Sequence, residues 1–92
     1  MAKYTIIYTK SYKKSLKKLD SVAVGMVGEV IDMLARGEVL APKYKDHQLK
    51  GHYRHFRECH IKPDLLLIYK KDDDTLILQA INVGSHSEVF KK

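Results

Sequence analysis

The sequence predicts an α+β fold in which one strand is followed by two helices and then by three strands. A segment rich in β-branched and aromatic residues opens the chain, and two stretches with apolar residues at every third or fourth position follow. The last third contains strand-like segments separated by short turns, and strands joined by short turns pair antiparallel. We therefore expect an antiparallel sheet with a two-helix hairpin packed on one face and a polar concave face opposite.

The first strand is predicted over residues 3–8, because residues 4–8 are all β-branched or aromatic. The first helix is predicted from Ser11 to Leu19, with Tyr12, Leu16 and Leu19 on its apolar side. The other faces of this helix carry the lysines Lys10, Lys13, Lys14, Lys17 and Lys18. The hairpin should therefore present one basic outer face.

The second helix follows directly along the chain. Asp20 and Ser21 offer an N-cap, and the dipeptide at residues 36–37 (Arg-Gly) gives a C-cap signal. Between these signals, the apolar stripe that predicts the helix consists of Val24, Val27, Ile31 and Leu34.

Residues 38–53 show no sustained period and are predicted to form a long connection, a kind of segment that is often functional. A strand is then expected from Tyr53 to Ile61, followed by a turn at residues 62–65 with Pro63 in its second place. Residues 65–69 are continuously apolar and should form a central strand that is buried on both faces. A turn over 71–74 leads into the last strand, residues 75–83.

Composition limits the kind of protein this can be. Ninety-two residues suit one domain, and we predict a single domain over 1–92. The formal net charge is +6, concentrated in residues 1–20 and 42–64, which points to a polyanionic partner. One cysteine, Cys59, closes no internal disulfide, and no apolar run is long enough to span a bilayer. We therefore expect a cytoplasmic protein without a membrane partner.

Histidines are the main candidates for chemistry. Four of the five, at positions 47, 52, 55 and 60, fall within fourteen positions, and His86 follows the last strand. Imidazole titrates near neutral pH, so grouped histidines can donate and accept protons without a metal or cofactor. A zinc site built from His52, His55, Cys59 and His60 is disfavoured, because alternating strand residues do not share one face. We therefore expect no metal and no cofactor.

Three motifs carry a family resemblance. They are Pro-x-Tyr-Lys-Asp-His-x-Leu-x-Gly at 42–51, Arg-Glu-Cys-His-Ile-Lys-Pro-Asp at 57–64, and Gly-Ser-His-Ser-Glu-Val-Phe at 84–90, with Leu-Ile-Tyr at 67–69 between the last two. In this order and spacing they resemble the YafQ branch of the RelE superfamily of bacterial toxins, and the resemblance covers essentially the whole chain. One departure is Tyr53, where relatives commonly carry Trp. The fold implied is RelE-like.

The resemblance also implies a function: the toxin of a type II toxin–antitoxin system, a ribosome-dependent and metal-independent mRNA endonuclease that a co-expressed antitoxin neutralises. Contact with operator DNA would occur only through the antitoxin complex. The implied catalytic set is His47, His60, Asp64 and His86. The implied substrate contacts are Arg57 and Phe90, to which we add Lys45 and Lys50 of the first motif.

RNA carries its own nucleophile, so the enzyme must remove the 2′-hydroxyl proton, stabilise the transition state and protonate the departing 5′ oxygen. We predict His86 as the general acid; His47 or Asp64 would be the base. Arg57 or a protonated His60 would stabilise the developing negative charge. Asp64 also suits a turn after proline, and Phe90 suits either a core anchor or a platform for an unstacked base.

The basic helix is interpreted as a surface that docks on ribosomal RNA through Lys10, Lys13, Lys14, Lys17 and Lys18. The alternative to an endonuclease is a non-catalytic basic module, either a gyrase-targeting toxin of the related ParE branch or a plain RNA-binding domain. The gyrase branch lacks the histidine set, and a plain RNA-binding domain does not explain the settings of His47, Asp64 and His86.

Overall fold

A computed structural model of the chain describes residues 2–90, and the predicted domain boundaries 1 and 92 lie just outside them. Within the described residues the elements run in this order: β1 (Thr5–Tyr8), α1 (Lys10–Leu16), α2 (Ser21–Ala35), β2 (His47–Gln48), β3 (Arg57–Lys62), β4 (Leu65–Asp72), β5 (Ile77–Gly84) and α3 (His86–Val89). Single turns of 3-10 helix lie at Pro42–Tyr44 and Gly51–Tyr53. The α+β class is confirmed.

The five strands form one sheet in the order β1-β5-β4-β3-β2. The antiparallel pairing of β3, β4 and β5 is confirmed, and β4 is the central strand with residues 65–69 all buried. The expectation of a wholly antiparallel sheet is wrong for β1, which pairs parallel with β5. No short turn joins these two strands, so the helical hairpin between β1 and the rest of the sheet leaves the direction of β1 open.

Two elements were not predicted, and one predicted strand begins later than expected. β2 has only two residues inside the connection 38–53, and α3 has four, so neither is long enough to produce a periodic pattern. The strand expected from Tyr53 begins at Arg57, because residues 51–53 form a helical turn. The turn at residues 63–64 is confirmed.

Helix α2 begins at its predicted cap, whereas α1, for which no cap was predicted, begins at Lys10 with Thr9 as its N-cap. The Asp20 carboxylate accepts a hydrogen bond from the Ala23 N–H at 2.8 Å, which satisfies a free donor at the start of α2. At its other end Gly37 takes a φ of 81°, and its N–H donates to the Leu34 carbonyl. Helix α1 ends at Leu16 rather than at Leu19, since residues 17–19 turn the chain towards α2.

The core lies between α2 and one face of the sheet. Tyr12 of α1 joins it, together with the buried residues of α2, which are Ala23, Val27, Val30, Ile31, Leu34 and Ala35. Val24 of the predicted stripe is only half-buried. Cys59, Leu67 and Tyr69 face this core, so their neighbours in the strands point to the other face. No helix within residues 2–90 is long and apolar enough to cross a membrane.

Candidate active site

Three side chains of the predicted catalytic set, His47, His60 and His86, lie around the carboxylate of Glu58 on the sheet face away from the core, and the fourth, Asp64, contacts His86. His60 Nε2 lies 3.0 Å from Glu58 Oε1, and His86 Nε2 lies 3.8 Å from the same oxygen. His47 Nε2 lies 3.8 Å from the other oxygen, Oε2, and Asp64 Oδ1 lies 3.4 Å from His86 Nδ1. Three imidazoles and two carboxylates therefore form one connected cluster.

The strands explain this grouping. His47 of β2 pairs directly opposite Glu58 of β3, and His60 lies two residues after Glu58, on the same face. Asp64 belongs to the turn between β3 and β4, and His86 is the first residue of α3, separated from the end of β5 by Ser85 alone. The ring centroid of His60 lies 6.5 Å from that of His47 and 5.7 Å from that of His86.

Glu58 is the site residue that the sequence prediction missed. Glu58 is only 5% exposed, and no other charged residue within residues 2–90 is buried. A buried carboxylate requires a donor, and only His60 Nε2, at 3.0 Å, lies within hydrogen-bond distance of Glu58 among the three imidazoles; His47 and His86 approach it to 3.8 Å. The signal for it was available: period-2 alternation in the predicted strand places Glu58 on the same face as His60.

The ring of His47 has a defined tautomer. Its Nδ1 lies 2.6 Å from the Lys45 carbonyl oxygen. A carbonyl oxygen only accepts hydrogen bonds, so Nδ1 carries the hydrogen and Nε2 is the nitrogen that faces Glu58. Lys45 reaches this arrangement with a φ of 48°, in the left-handed region.

Asp64 holds the start of α3. Its Oδ1 accepts from the backbone N–H of His86 at 3.3 Å and contacts the His86 ring nitrogen Nδ1 at 3.4 Å. Glu88 Oε1 accepts from the Ser85 N–H at 3.0 Å, and a Cβ added at Gly84 would lie 3.0 Å from that oxygen. The carboxylates at positions 64 and 88 thus fix the backbone that carries His86.

Phe90 reaches the same face. Its ring is half-buried, meets the Tyr53 ring edge-on at a centroid distance of 5.2 Å, and lies 6.3 Å from the His86 ring. The structure therefore brings this predicted substrate contact beside the cluster. Tyr53, the departure from the family pattern, packs against it.

Arg57 does not join the cluster. It pairs with Tyr69 across β3 and β4, on the core side, where its Nε lies 3.3 Å from Asp46 Oδ1 and 3.2 Å from the Tyr69 hydroxyl oxygen. Tyr69 belongs to the strand predicted to be buried on both faces, and its side chain is buried. Burial, together with the hydrogen bond to Asp46, raises the pKa of the Tyr69 hydroxyl, so this group stays protonated and donates.

The predicted lysines are exposed. Lys45 lines a cleft of about 320 Å³ beside His60, whose other basic residues are Lys43 and Lys62, and Lys50 precedes the helical turn at Gly51–Tyr53. The lysines predicted to bind the ribosome all lie exposed on or just after α1; they are Lys10, Lys13, Lys14, Lys17 and Lys18. The cleft reaches His60 from the side of α2, whose Glu29 also lines it, and the lysines on or just after α1 form a separate basic surface.

The other two histidines of the middle segment and the cysteine take no part in the cluster. His52 and His55 are exposed and lie outside the cluster. Cys59 is fully buried, and burial raises the pKa of its thiol to about 12. A thiol with so high a pKa is not a nucleophile at neutral pH.

One subset of the cluster has the donors of a metal site. Glu58, His60 and His86 each offer one ligand atom, and these atoms lie within 4.8 Å of one another. Imidazole and carboxylate donors suit zinc, copper and other first-row transition metals. This set differs from the zinc combination that the sequence disfavoured, because it includes Glu58 and excludes Cys59.

Among known protein families, the model described as "Bacterial toxin of type II toxin-antitoxin system, YafQ" matches residues 4–91. The mRNA interferase toxin YafQ of Escherichia coli K12 is 40% identical over 47 residues, which are 51% of this chain and 49% of that protein. The chain thus spans about half the length of this curated relative.

Solved structures resemble the chain over nearly its whole length. A metal-bound toxin from Helicobacter pylori is 43% identical, with a TM-score of 0.83 over 95% of this chain and 99% of that one. The toxin of the E. coli DinJ-YafQ toxin-antitoxin complex is 28% identical, with a TM-score of 0.84 over 96% of this chain and 98% of that one.

Proposed function

Because the chain belongs to the YafQ family of type II toxin–antitoxin toxins, we propose that it is an endoribonuclease that cleaves mRNA on the ribosome. The observation that carries this proposal is the cluster of His47, His60 and His86 around Glu58, with Asp64 behind His86. Grouped imidazoles suit a reaction that needs a base and an acid on either side of one phosphate. We propose that residues 1–92 act as one toxin domain.

His86 is proposed as the general acid. Asp64 contacts its Nδ1, so its Nε2 is the nitrogen directed into the cluster. A carboxylate that orients an imidazole in this way sets which nitrogen takes part in proton transfer. Protonated at Nε2, His86 would give its proton to the 5′ oxygen as the phosphodiester bond breaks.

His47 is proposed as the general base. The sequence left His47 and Asp64 as alternatives, and the contact of Asp64 with His86 favours a positioning role for the carboxylate. The bond from His47 Nδ1 to the Lys45 carbonyl leaves Nε2 to take the proton from the 2′-hydroxyl. The oxygen then attacks the adjacent phosphorus, and the departing 5′ oxygen receives the proton from His86.

Charge stabilisation is assigned to His60 and to the basic cleft. The His60 ring lies between the other two rings, with its Nε2 at 3.0 Å from Glu58. When protonated, it would stabilise the negative charge that develops on the phosphate. Lys45 lies in the cleft beside it and would contact a phosphate of the substrate, as would Lys50. Phe90, edge-on to Tyr53, would stack on an unstacked base.

The partners follow from charge and from the relatives. A net charge of +6 suits ribosomal RNA and mRNA, and the basic surface of α1 lies apart from the histidine cluster. A YafQ chain has been solved with DinJ, and we propose that a small antitoxin with an acidic segment neutralises this chain too. Operator DNA would be contacted only through that complex, and the cytoplasm is the proposed location.

The proposal is tested in a cell-free translation reaction programmed with a defined mRNA. Added protein should produce new 5′ ends within the reading frame, mapped by primer extension, and omission of ribosomes should remove them. Stopped replication with intact mRNA would instead indicate the gyrase-targeting alternative. Binding of RNA without new ends would indicate a non-catalytic RNA-binding module.

A second proposal concerns metal. A related toxin from H. pylori has been solved bound to metal, and Glu58, His60 and His86 fit such an ion here. A bound metal would act as a Lewis acid, but it would occupy the His86 nitrogen that proton transfer requires. We therefore propose that a transition metal inhibits this chain rather than assisting it.

Titration calorimetry with Zn²⁺ should give one binding site, and Glu58→Gln should weaken binding at least about tenfold by removing the anionic ligand. His55→Gln is the matched control, since His55 is exposed and outside the donor set. Equal affinity in the Glu58→Gln protein would contradict this site. Cleavage that requires added Zn²⁺ would contradict the inhibitory role.

A further inference from the structure

A second hydrogen-bonded group lies behind His47, on the core side of the sheet. We call Asp46, Arg57 and Tyr69 the core-side triad; Tyr69 is buried, and Asp46 and Arg57 are partly buried. Asp46 Oδ1 accepts from the Tyr69 hydroxyl at 2.5 Å and from Arg57 Nε at 3.3 Å. Tyr69 is only 1% exposed, and its hydroxyl oxygen lies 3.2 Å from Arg57 Nε. The triad joins the segment before β2 to strands β3 and β4.

Strand β2 needs such an anchor. It has two residues, His47 and Gln48, which pair with Glu58 and Arg57, and it forms one edge of the sheet. So short an edge strand has few backbone hydrogen bonds and opens readily. Side chains supply the missing attachment: the Asp46 carboxylate reaches into the triad, and Arg57 Nη1 lies 3.5 Å from Gln48 Oε1.

We propose that the core-side triad is a positioning device for His47. The inference rests on the proposed function. The three residues of the triad touch neither the substrate nor the reacting atoms and act through His47. Asp46 is held on one side of the sheet, so the next residue, His47, is presented on the other. Restraint of the backbone at residues 45–46 also holds the Lys45 carbonyl that accepts from His47 Nδ1.

This inference changes the role predicted for Arg57 and adds a role for the Tyr69 hydroxyl. Arg57 acts on Asp46 rather than on RNA, and the Tyr69 hydroxyl acts on the same carboxylate in addition to packing its ring. The arrangement fixes two properties of His47 at once: its distance from Glu58 and the tautomer of its ring. Both properties are needed by a general base.

The test is Tyr69→Phe, which keeps the buried ring and removes the hydroxyl. The maximal cleavage rate at saturating ribosomes should fall about 10- to 100-fold, with the half-saturating ribosome concentration unchanged, because binding surfaces are untouched. Combined with His47→Ala, the change should cause no additional loss, since a device that acts through His47 has nothing left to position.

Tyr4→Phe is the matched control. Tyr4 is buried, and its hydroxyl donates to Asp73, so the control also removes one bond between a buried tyrosine and an aspartate. It should lower the melting temperature without slowing cleavage. If both variants slow cleavage equally, or if the Tyr69→Phe and His47→Ala losses add, the triad is merely structural.

A second measurement does not depend on RNA. The imidazole ¹⁵N spectrum of His47 in the free protein should show the Nδ1–H tautomer, and Tyr69→Phe should produce a mixture of tautomers. Asp46→Ala should give the same result and decides the matter if Tyr69→Phe fails to fold. An unchanged His47 spectrum in a folded variant would overturn the inference, even if the wild-type protein cleaves no RNA.

Discussion

Replacement of His86 by alanine is expected to lower the cleavage rate of ribosome-bound mRNA by about 10²- to 10⁴-fold, the usual contribution of one acid or base. The variant should fold normally, because the His86 side chain is more than half exposed and takes no part in the core. Primer extension in the translation assay measures the loss, and the melting temperature checks the fold.

His55→Ala is the control for this experiment, since it removes an exposed histidine that is not part of the cluster. Asp64→Asn should give a smaller loss than His86→Ala, because the amide oxygen can still accept from the His86 backbone N–H. Cleavage by His86→Ala at the wild-type rate would contradict the assignment of His86 as the acid.

Reversal of charge on α1 is expected to have the second large effect. The change of Lys13, Lys14, Lys17 and Lys18 to glutamate should weaken ribosome binding by roughly two or more orders of magnitude at low salt. Binding weakens less steeply with rising salt when phosphate contacts are lost. The magnitude of the negative slope of log K against log salt should therefore decrease by about 3. Sedimentation with ribosomes at several salt concentrations measures both quantities.

Lys70→Glu is the control for a change of charge outside α1, since Lys70 is an exposed lysine of β4. It should alter binding far less than reversal of any one of the four lysines on or just after α1 does. If ribosome affinity and its salt dependence are unchanged in the fourfold variant, the docking surface lies elsewhere on the molecule.

The expected effects of the His86 change and of the lysine reversals are independent of each other. Loss of the acid at His86 stops the chemistry but leaves the lysine surface intact, so the His86→Ala protein should still sediment with ribosomes. Reversal of the lysines should leave the histidine cluster unchanged, and a high concentration of protein should restore cleavage. This crossed pattern separates recognition of the ribosome from cleavage of the mRNA.

Sequence reasoning reached most of the cluster because its members lie in motifs with recognisable positions. It missed Glu58, since an acidic residue in a predicted strand is usually assigned to the solvent side. The resemblance also implied Arg57 as a substrate contact; the structure places Arg57 on the face of β3 opposite His60, with Asp46 as its partner. The contacts that show where each side chain belongs, those of Glu58 with the histidines and of Arg57 with Asp46, are visible only in the tertiary structure.

The amino-acid sequence alone predicted the two amphipathic helices, the central apolar strand and the turn at Pro63. Hydrophobic periodicity and turn chemistry depend only on residues that are close together in the chain. The tertiary structure alone decided the parallel pairing of β1, the two-residue strand that carries His47, and the burial of Glu58 among three imidazoles. Those features depend on residues that are far apart in the chain, and no local pattern of side chains encodes which distant segments will meet.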